Sequence, residues 1–169
     1  MRGLIAIFSS LALVTLTGQA YAQSARKMSE HGDWATYSYQ AKSGKVCYVL
    51  TVPKPKSMQP PSVDHGAMYF FVSQRPGQAV VFEPQFIAGY PLKEGSMVHV
   101  AIGGKKFTMY TKGQSAWVEN AAEEPQMIAA MKSGDDMQVQ AQSGRGTKTS
   151  YSFSLKGISA ALDSIAGCK

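Results

Sequence analysis

Asp136-Met137-Gln138-Val139-Gln140-Ala141-Gln142, followed by Ser143-Gly144-Arg145-Gly146 and then Thr149-Ser150-Tyr151-Ser152-Phe153-Ser154-Leu155, decides the fold class of this chain. Met137, Val139 and Ala141 alternate with three glutamines, and Tyr151, Phe153 and Leu155 alternate with three serines. A period of two puts one set of side chains on each face of a strand, so both runs read as strands with one wet and one buried face. The Ser-Gly-Arg-Gly linker has turn composition, and the pair reads as an antiparallel hairpin.

The same rhythm runs outward from this hairpin. Trp34 to Ala41 and Lys45 to Val52 form a second strand pair about Lys42-Ser43-Gly44. Val46, Tyr48, Leu50 and Val52 share one face there, and Cys47 and Val49 share the other. A strand apolar on both faces belongs in the middle of a sheet, which places Cys47 inside it. Met68 to Ser73, Ala79 to Phe82 and Ser115 to Glu119 read as further strands. Met97 to Ile102 and Lys105 to Tyr110 make a hairpin about Gly103-Gly104, a dipeptide suited to positive φ.

Two segments break the pattern. Met127, Ile128 and Met131 share a helical face after Pro125, with Gly134 as a stop, and predict a helix over about 125–133. Ile158, Ala161, Leu162 and Ile165 are spaced i, i+3, i+4, i+7 and predict a second over about 157–166. The reading is an all-β antiparallel sandwich with two short helices. Pro53 to Pro61 carries four prolines and cannot pair as a central strand. It reads as an inter-sheet connection or as a partner-recognition loop presenting Lys54 and Lys56.

The N-terminus carries an address. Arg2, the apolar run Leu4 to Leu16 and Ala20-Tyr21-Ala22 have the three parts of a secretory signal peptide, 1–22. The run is too short to span a bilayer, which takes about 20 apolar residues. Residues 23–169 are then expected to form a single domain outside the cytoplasm: periplasmic, outer-membrane-associated or secreted. The net charge of +6 falls by one with Arg2. The basic residues are scattered, which argues against a nucleic-acid partner, and no transmembrane helix is expected in the mature chain. Cys47 and Cys168 are the two cysteines. In an oxidising compartment an even count without CxxC spacing reads first as one disulfide, the alternative being two buried thiols.

Motifs for catalysis are missing. His31, His65 and His99 sit in no recognised spacing, and there is no GxSxG, HExxH, P-loop or GxGxxG. His99 reads as a satisfied or half-exposed strand residue and His31 as solvated. No catalytic residue, cofactor site or metal site is assigned. The aromatic residues are expected mainly in the core, with Tyr90 and Trp117 as loop-side candidates for a partner surface.

Several pieces in order resemble the invasion-associated locus B family of exported alphaproteobacterial proteins. They are Gly32-Asp33-Trp34, Gly44-Lys45-Val46-Cys47, Met131-Lys132-Ser133-Gly134, Ser143-Gly144-Arg145-Gly146-Thr147 and the closing run Tyr151 to Leu162. The resemblance covers about 32–168. It implies an immunoglobulin-like β-sandwich in the periplasm or on the outer membrane, linked in pathogenic members to host-cell entry and without a defined catalytic activity. Many members carry further cysteines, so this chain resembles a shorter branch. The expected function is a non-enzymatic exported binding protein with an unidentified protein, envelope or host-surface partner. The alternatives are a structural envelope-stability protein and a hydrolase of envelope polymers.

Overall fold

A computed structural model describes residues 24–168. The segment read as a signal peptide, 1–22, lies outside the described residues. Ten strands form one hydrogen-bonded sheet in which every pairing is antiparallel. They are β1 (Arg26–His31), β2 (Trp34–Ala41), β3 (Gly44–Thr51), β4 (Tyr69–Arg75), β5 (Val80–Ile87), β6 (Met97–Ile102), β7 (Lys105–Lys112), β8 (Ser115–Val118), β9 (Asp136–Gln142) and β10 (Lys148–Ser154). Their spatial order is β1-β2-β3-β4-β5-β8-β7-β6-β9-β10.

The sheet folds over so that its two halves face each other in a sandwich-like all-β fold. Phe70 on β4 and Phe86 on β5 meet Phe153 on β10 edge-on, at centroid distances of 5.9 and 6.3 Å. The alternation that predicted the Asp136–Leu155 hairpin holds residue by residue. Met137, Val139, Ala141, Tyr151 and Phe153 are buried, and Gln138 and Gln140 are exposed.

Two helices close the space between the halves. α1 (Glu124–Ser133) buries Met127, Ile128, Ala130 and Met131; α2 (Ile158–Ala166) buries Ile158, Ala161, Leu162 and Ile165. Both stripes are the ones the spacing predicted. α2 packs on the inner face of β2 and β3. It delivers Cys168 to Cys47, with S–S 2.05 Å and Cα–Cα 6.0 Å.

Two of the short motifs meet in space. The Asp33 N–H donates to Lys156 O at 3.0 Å, and Trp34 Nε1 donates to Ser154 O at 3.0 Å. A Cβ on Gly32 would lie 2.5 Å from Lys156 O, and one on Gly157 would lie 2.0 Å from His31 O. Both glycines also have positive φ. Only glycine fits where these two backbones cross, so Gly-Asp-Trp and the glycine before α2 form one structural joint.

Three expectations need correction. β1 was not foreseen, because Arg26–His31 has one apolar residue, the exposed Met28, and so lacks an apolar alternation to read. β5 runs on to Ile87 rather than ending at Phe82: Pro84 lies buried inside it, opposite Val72, although a proline cannot donate to a strand ladder. The proline-rich segment is neither a plain connector nor a free loop. Lys54 N–H donates to Ser152 O, Gln59 exchanges backbone hydrogen bonds with Ser150, and Ser57 Oγ accepts from Ser152 N. It caps the outer edge of β10, which would otherwise present unpaired N–H and C=O groups to other chains.

Candidate functional site

Two groupings of side chains stand out, one inside the fold and one on its outer face. The internal one centres on His65, which is buried in the loop before β4. His65 Nε2 lies 3.0 Å from Pro60 O, a pure acceptor, so Nε2 carries the proton and donates. In the neutral ring Nδ1 then accepts from Tyr151 Oη at 2.8 Å. Tyr151 Oη is 2.9 Å from Tyr90 Oη, which lies 2.6 Å from Thr149 Oγ1. Burial is the main cause pushing the Tyr151 phenol far above the ordinary tyrosine range. Gly89 lets this loop approach: a Cβ there would sit 2.4 Å from His65 O.

Each polar atom of this row has a protein partner. Satisfied buried polar networks rigidify and specify a fold, and the row ties the 59–66 segment and the Gly89-Tyr90-Pro91 turn to β10. Sequence reading missed it, since His65 and Tyr151 are 86 residues apart and in no motif.

The outer face is built by the opposite phase of the same strands. Register aligns Tyr37 with Tyr48, Leu50 with Phe71, Phe71 with Gln85, Gln85 with Trp117 and Trp117 with Tyr110. Tyr37 stacks on Tyr48 at 5.2 Å and 10°, Tyr39 meets Tyr48 edge-on, and Phe71 bridges Tyr48 to Tyr69 at 5.5 and 5.7 Å. Trp117 stacks on Tyr110 at 5.7 Å and 26°. These rings are only half-buried, and Tyr110 is 43% exposed. Burial, and then Tyr37 and Tyr39, push the Tyr48 phenol up, so its hydroxyl keeps its proton at neutral pH.

Farther along the outer face the rings give way to amides and hydroxyls. Ser150, Gln140, His99 and Thr108 lie in register across β10, β9, β6 and β7. A depression of about 570 Å³ is lined by Gln59, Met97, His99, Gln140, Lys148 and Ser150, among others. A second of about 390 Å³ shares His99 and Gln140 and adds Lys106, Thr108 and Gln138.

The candidate residues from sequence fall as follows. Trp117 is half-buried on the outer face. Tyr90 is corrected from an exposed loop anchor to a half-buried ring packed on the core, held there by its hydroxyl bonds to Thr149 and Tyr151. Lys54 pairs with Asp136 at 2.5 Å and Lys56 is exposed beside it, both on the segment that caps β10. His31 is half-buried, with Nε2 3.0 Å from Ser29 Oγ, rather than solvated. The aromatic residues divide: Trp34, Phe70, Tyr151 and Phe153 form core, but Tyr37, Tyr39, Tyr48, Tyr69 and Phe71 face out. Strand phase carried that signal, since Tyr48 sits out of phase with Cys47 and Val49, and Tyr37 and Tyr39 out of phase with Trp34. Among the described residues no group of three or more His, Cys, Asp or Glu is placed to hold a metal ion. No helix among them is long and apolar enough to cross a membrane.

Residues 34–166, from the Trp34 of the backbone joint to the end of α2, match the profile of the invasion associated locus B (IalB) protein family. The chain belongs to the IalB family. The match takes in β2 to β10 and both helices, with Cys47 inside it and β1 and Cys168 just outside. Membership and the Cys47–Cys168 bond fit an exported, invasion-associated protein. No curated protein and no solved structure matches this IalB chain.

Proposed function

We propose that this IalB family member is an exported, non-catalytic binding domain. Residues 1–22 direct export, and 23–169 act as one domain in the periplasm, on the outer membrane or outside the cell. The outer sheet face makes the contact, with a component of the envelope or of a host-cell surface.

The observation that supports this reading is the connected outer cluster of Tyr37, Tyr39, Tyr48, Tyr69 and Phe71. Five adjoining aromatic rings left half-exposed give up burial that each ring would gain in a core. Such patches on soluble domains mark interaction sites, where Tyr and Phe serve as rigid anchors. Tyr39 and Tyr69 lie toward its margins, so they can be changed without opening the core.

The test has two parts. Mass spectrometry of the protein released from the producing cells by osmotic shock should show Gln23 as the first residue; retention of residues 1–22 there refutes the export reading. The purified protein should co-sediment with isolated envelope vesicles or bind cultured animal cells, and the Tyr39→Ser/Tyr69→Ser variant should lose most of that binding. Undiminished binding by the variant refutes the assignment to this face.

A further inference from the structure

We propose that the polar half of the outer face, across β7, β6, β9 and β10, is a binding groove for an acidic oligosaccharide. The proposal deepens the binding reading above and rests on it.

The groove has the chemistry a sugar chain needs. A sugar hydroxyl donates and accepts, and a glutamine amide or a serine or threonine hydroxyl does both. Gln140, His99, Ser150 and Thr108 line up across four strands. Among the described residues none of these four side chains has a hydrogen-bond partner. Gln138, by contrast, is held in place by donating to Ser152 Oγ at 2.9 Å. The row is therefore a set of open donors and acceptors on rigid strands, which costs a ligand little ordering.

Next to it stand Trp117 and Tyr110, joined to the groove through Met97 opposite Tyr110. Stacked on each other at 26°, they leave half-exposed apolar ring surface beside the groove, against which the C–H face of a sugar ring can lie. The cavities of about 570 and 390 Å³ adjoin at His99 and Gln140, giving a track longer than one sugar.

Charge selects the class of glycan. The linings of the two depressions include Lys148 and Lys106 and no carboxylate. Neither lysine is in an ion pair among the described residues, whereas Lys54 and Lys132 are. Glu94 lies outside both linings, and so does Glu119, whose backbone N–H bonds Thr108 O at the β7 end of the row. Two unpaired ammonium groups flanking a neutral hydrogen-bonding row suit a chain with anionic groups spaced along it. An extended acidic peptide fits less well. Peptides add to sheet edges through their backbone, and the β10 edge is already capped by Lys54, Ser57 and Gln59.

The same chemistry occurs in phosphorylated sugars of a bacterial envelope and in acidic glycans of an animal-cell surface, so the experiment separates the two. Calorimetric titration of the processed protein uses a galacturonic acid hexamer, the uncharged galactose hexamer and a hexaglutamate peptide, all at physiological salt. The acidic hexamer should bind at least tenfold more tightly than either control. Gln140→Ala, and separately Lys106→Gln/Lys148→Gln, should each weaken it at least fivefold with an unchanged urea midpoint. Lys42→Gln, elsewhere on the surface, should leave it unaltered.

Rough lipopolysaccharide and heparan sulfate fragments then show which source binds more tightly through the same residues. Three results overturn the proposal: no binding of any acidic glycan, equal binding of hexaglutamate, or equal weakening by Lys42→Gln and by the groove variants. Co-sedimentation with envelopes or cells alongside a failed glycan titration rejects the groove and leaves the aromatic-face reading standing. Glycan binding without co-sedimentation does the reverse.

Discussion

Tyr151→Phe is the sharpest probe of how the interior is held. The ring would stay in place against Phe86 at 5.9 Å and His65 at 5.3 Å, so no cavity opens. What goes is one hydroxyl that serves two partners, His65 Nδ1 at 2.8 Å and Tyr90 Oη at 2.9 Å. Tyr90 keeps Thr149 at 2.6 Å. His65 Nδ1 loses its donor in a site where Tyr151 is fully buried and His65 6% exposed, so water has little access to replace it. Stranding one buried polar atom costs about 1–3 kcal/mol. With a urea slope of about 2 kcal/mol per molar for a domain this size, the midpoint should fall by about 0.5–1.5 M. Equilibrium urea unfolding followed by tryptophan fluorescence measures it, and binding to envelopes or cells per folded molecule should be unchanged. A midpoint equal to wild type would refute the network as a stabilising device. Lost binding at unchanged stability would make these hydroxyls part of a ligand site.

The same residue predicts an alkaline effect. The folded-state pKa of Tyr151 is raised above its unfolded value, so its contribution is complete below the ordinary phenol pKa of about 10 and is lost as pH climbs toward the folded value. The wild-type midpoint should therefore fall more steeply above about pH 10 than that of Tyr151→Phe; parallel curves would contradict the raised phenol. Replacing both cysteines by serine removes a link across 121 residues, for which loop entropy sets a ceiling of about 5 kcal/mol. Thermal unfolding should show a lower Tm, and amide exchange should be fastest in α2. Leu162 is fully buried at the centre of the α2 stripe, so Leu162→Ala should cost about 2–5 kcal/mol in urea unfolding, and an unchanged midpoint would place the stripe in solvent.

Much of the architecture was legible because it rests on local alternation. The Asp136–Leu155 hairpin, the β6–β7 hairpin and both helix stripes repeat simple periods, and burial follows those periods. The disulfide follows from the even cysteine count, an oxidising compartment and the strand phase that places Cys47 inside the sheet. β1 was illegible because a polar strand carries no burial signal. The continuation of β5 past Phe82 was hidden by Pro84, around which the neighbouring residues keep the register with β4.

The surfaces were harder to foresee. Aromatic residues favour cores on average, and that average outweighed the phase argument placing Tyr37, Tyr39 and Tyr48 opposite Trp34, Cys47 and Val49. The groove joins residues from 99, 106, 140 and 148–150 through the order β7-β6-β9-β10, and the His65 row joins a loop to a distant strand. Both depend on which strands become neighbours, which local pattern does not encode.

The claim that the outer sheet face is the working surface is open to one direct measurement. Isotope-labelled processed protein, mixed with unlabelled envelope vesicles or animal-cell membranes, can be mapped by cross-saturation at each backbone amide. The account predicts transfer at amides of the outer-face residues, with Tyr37, Tyr48 and Phe71 on one side and His99 and Gln140 on the other, and none along α2. Transfer confined to α2 or to the 54–59 segment, with these five residues silent, would contradict it.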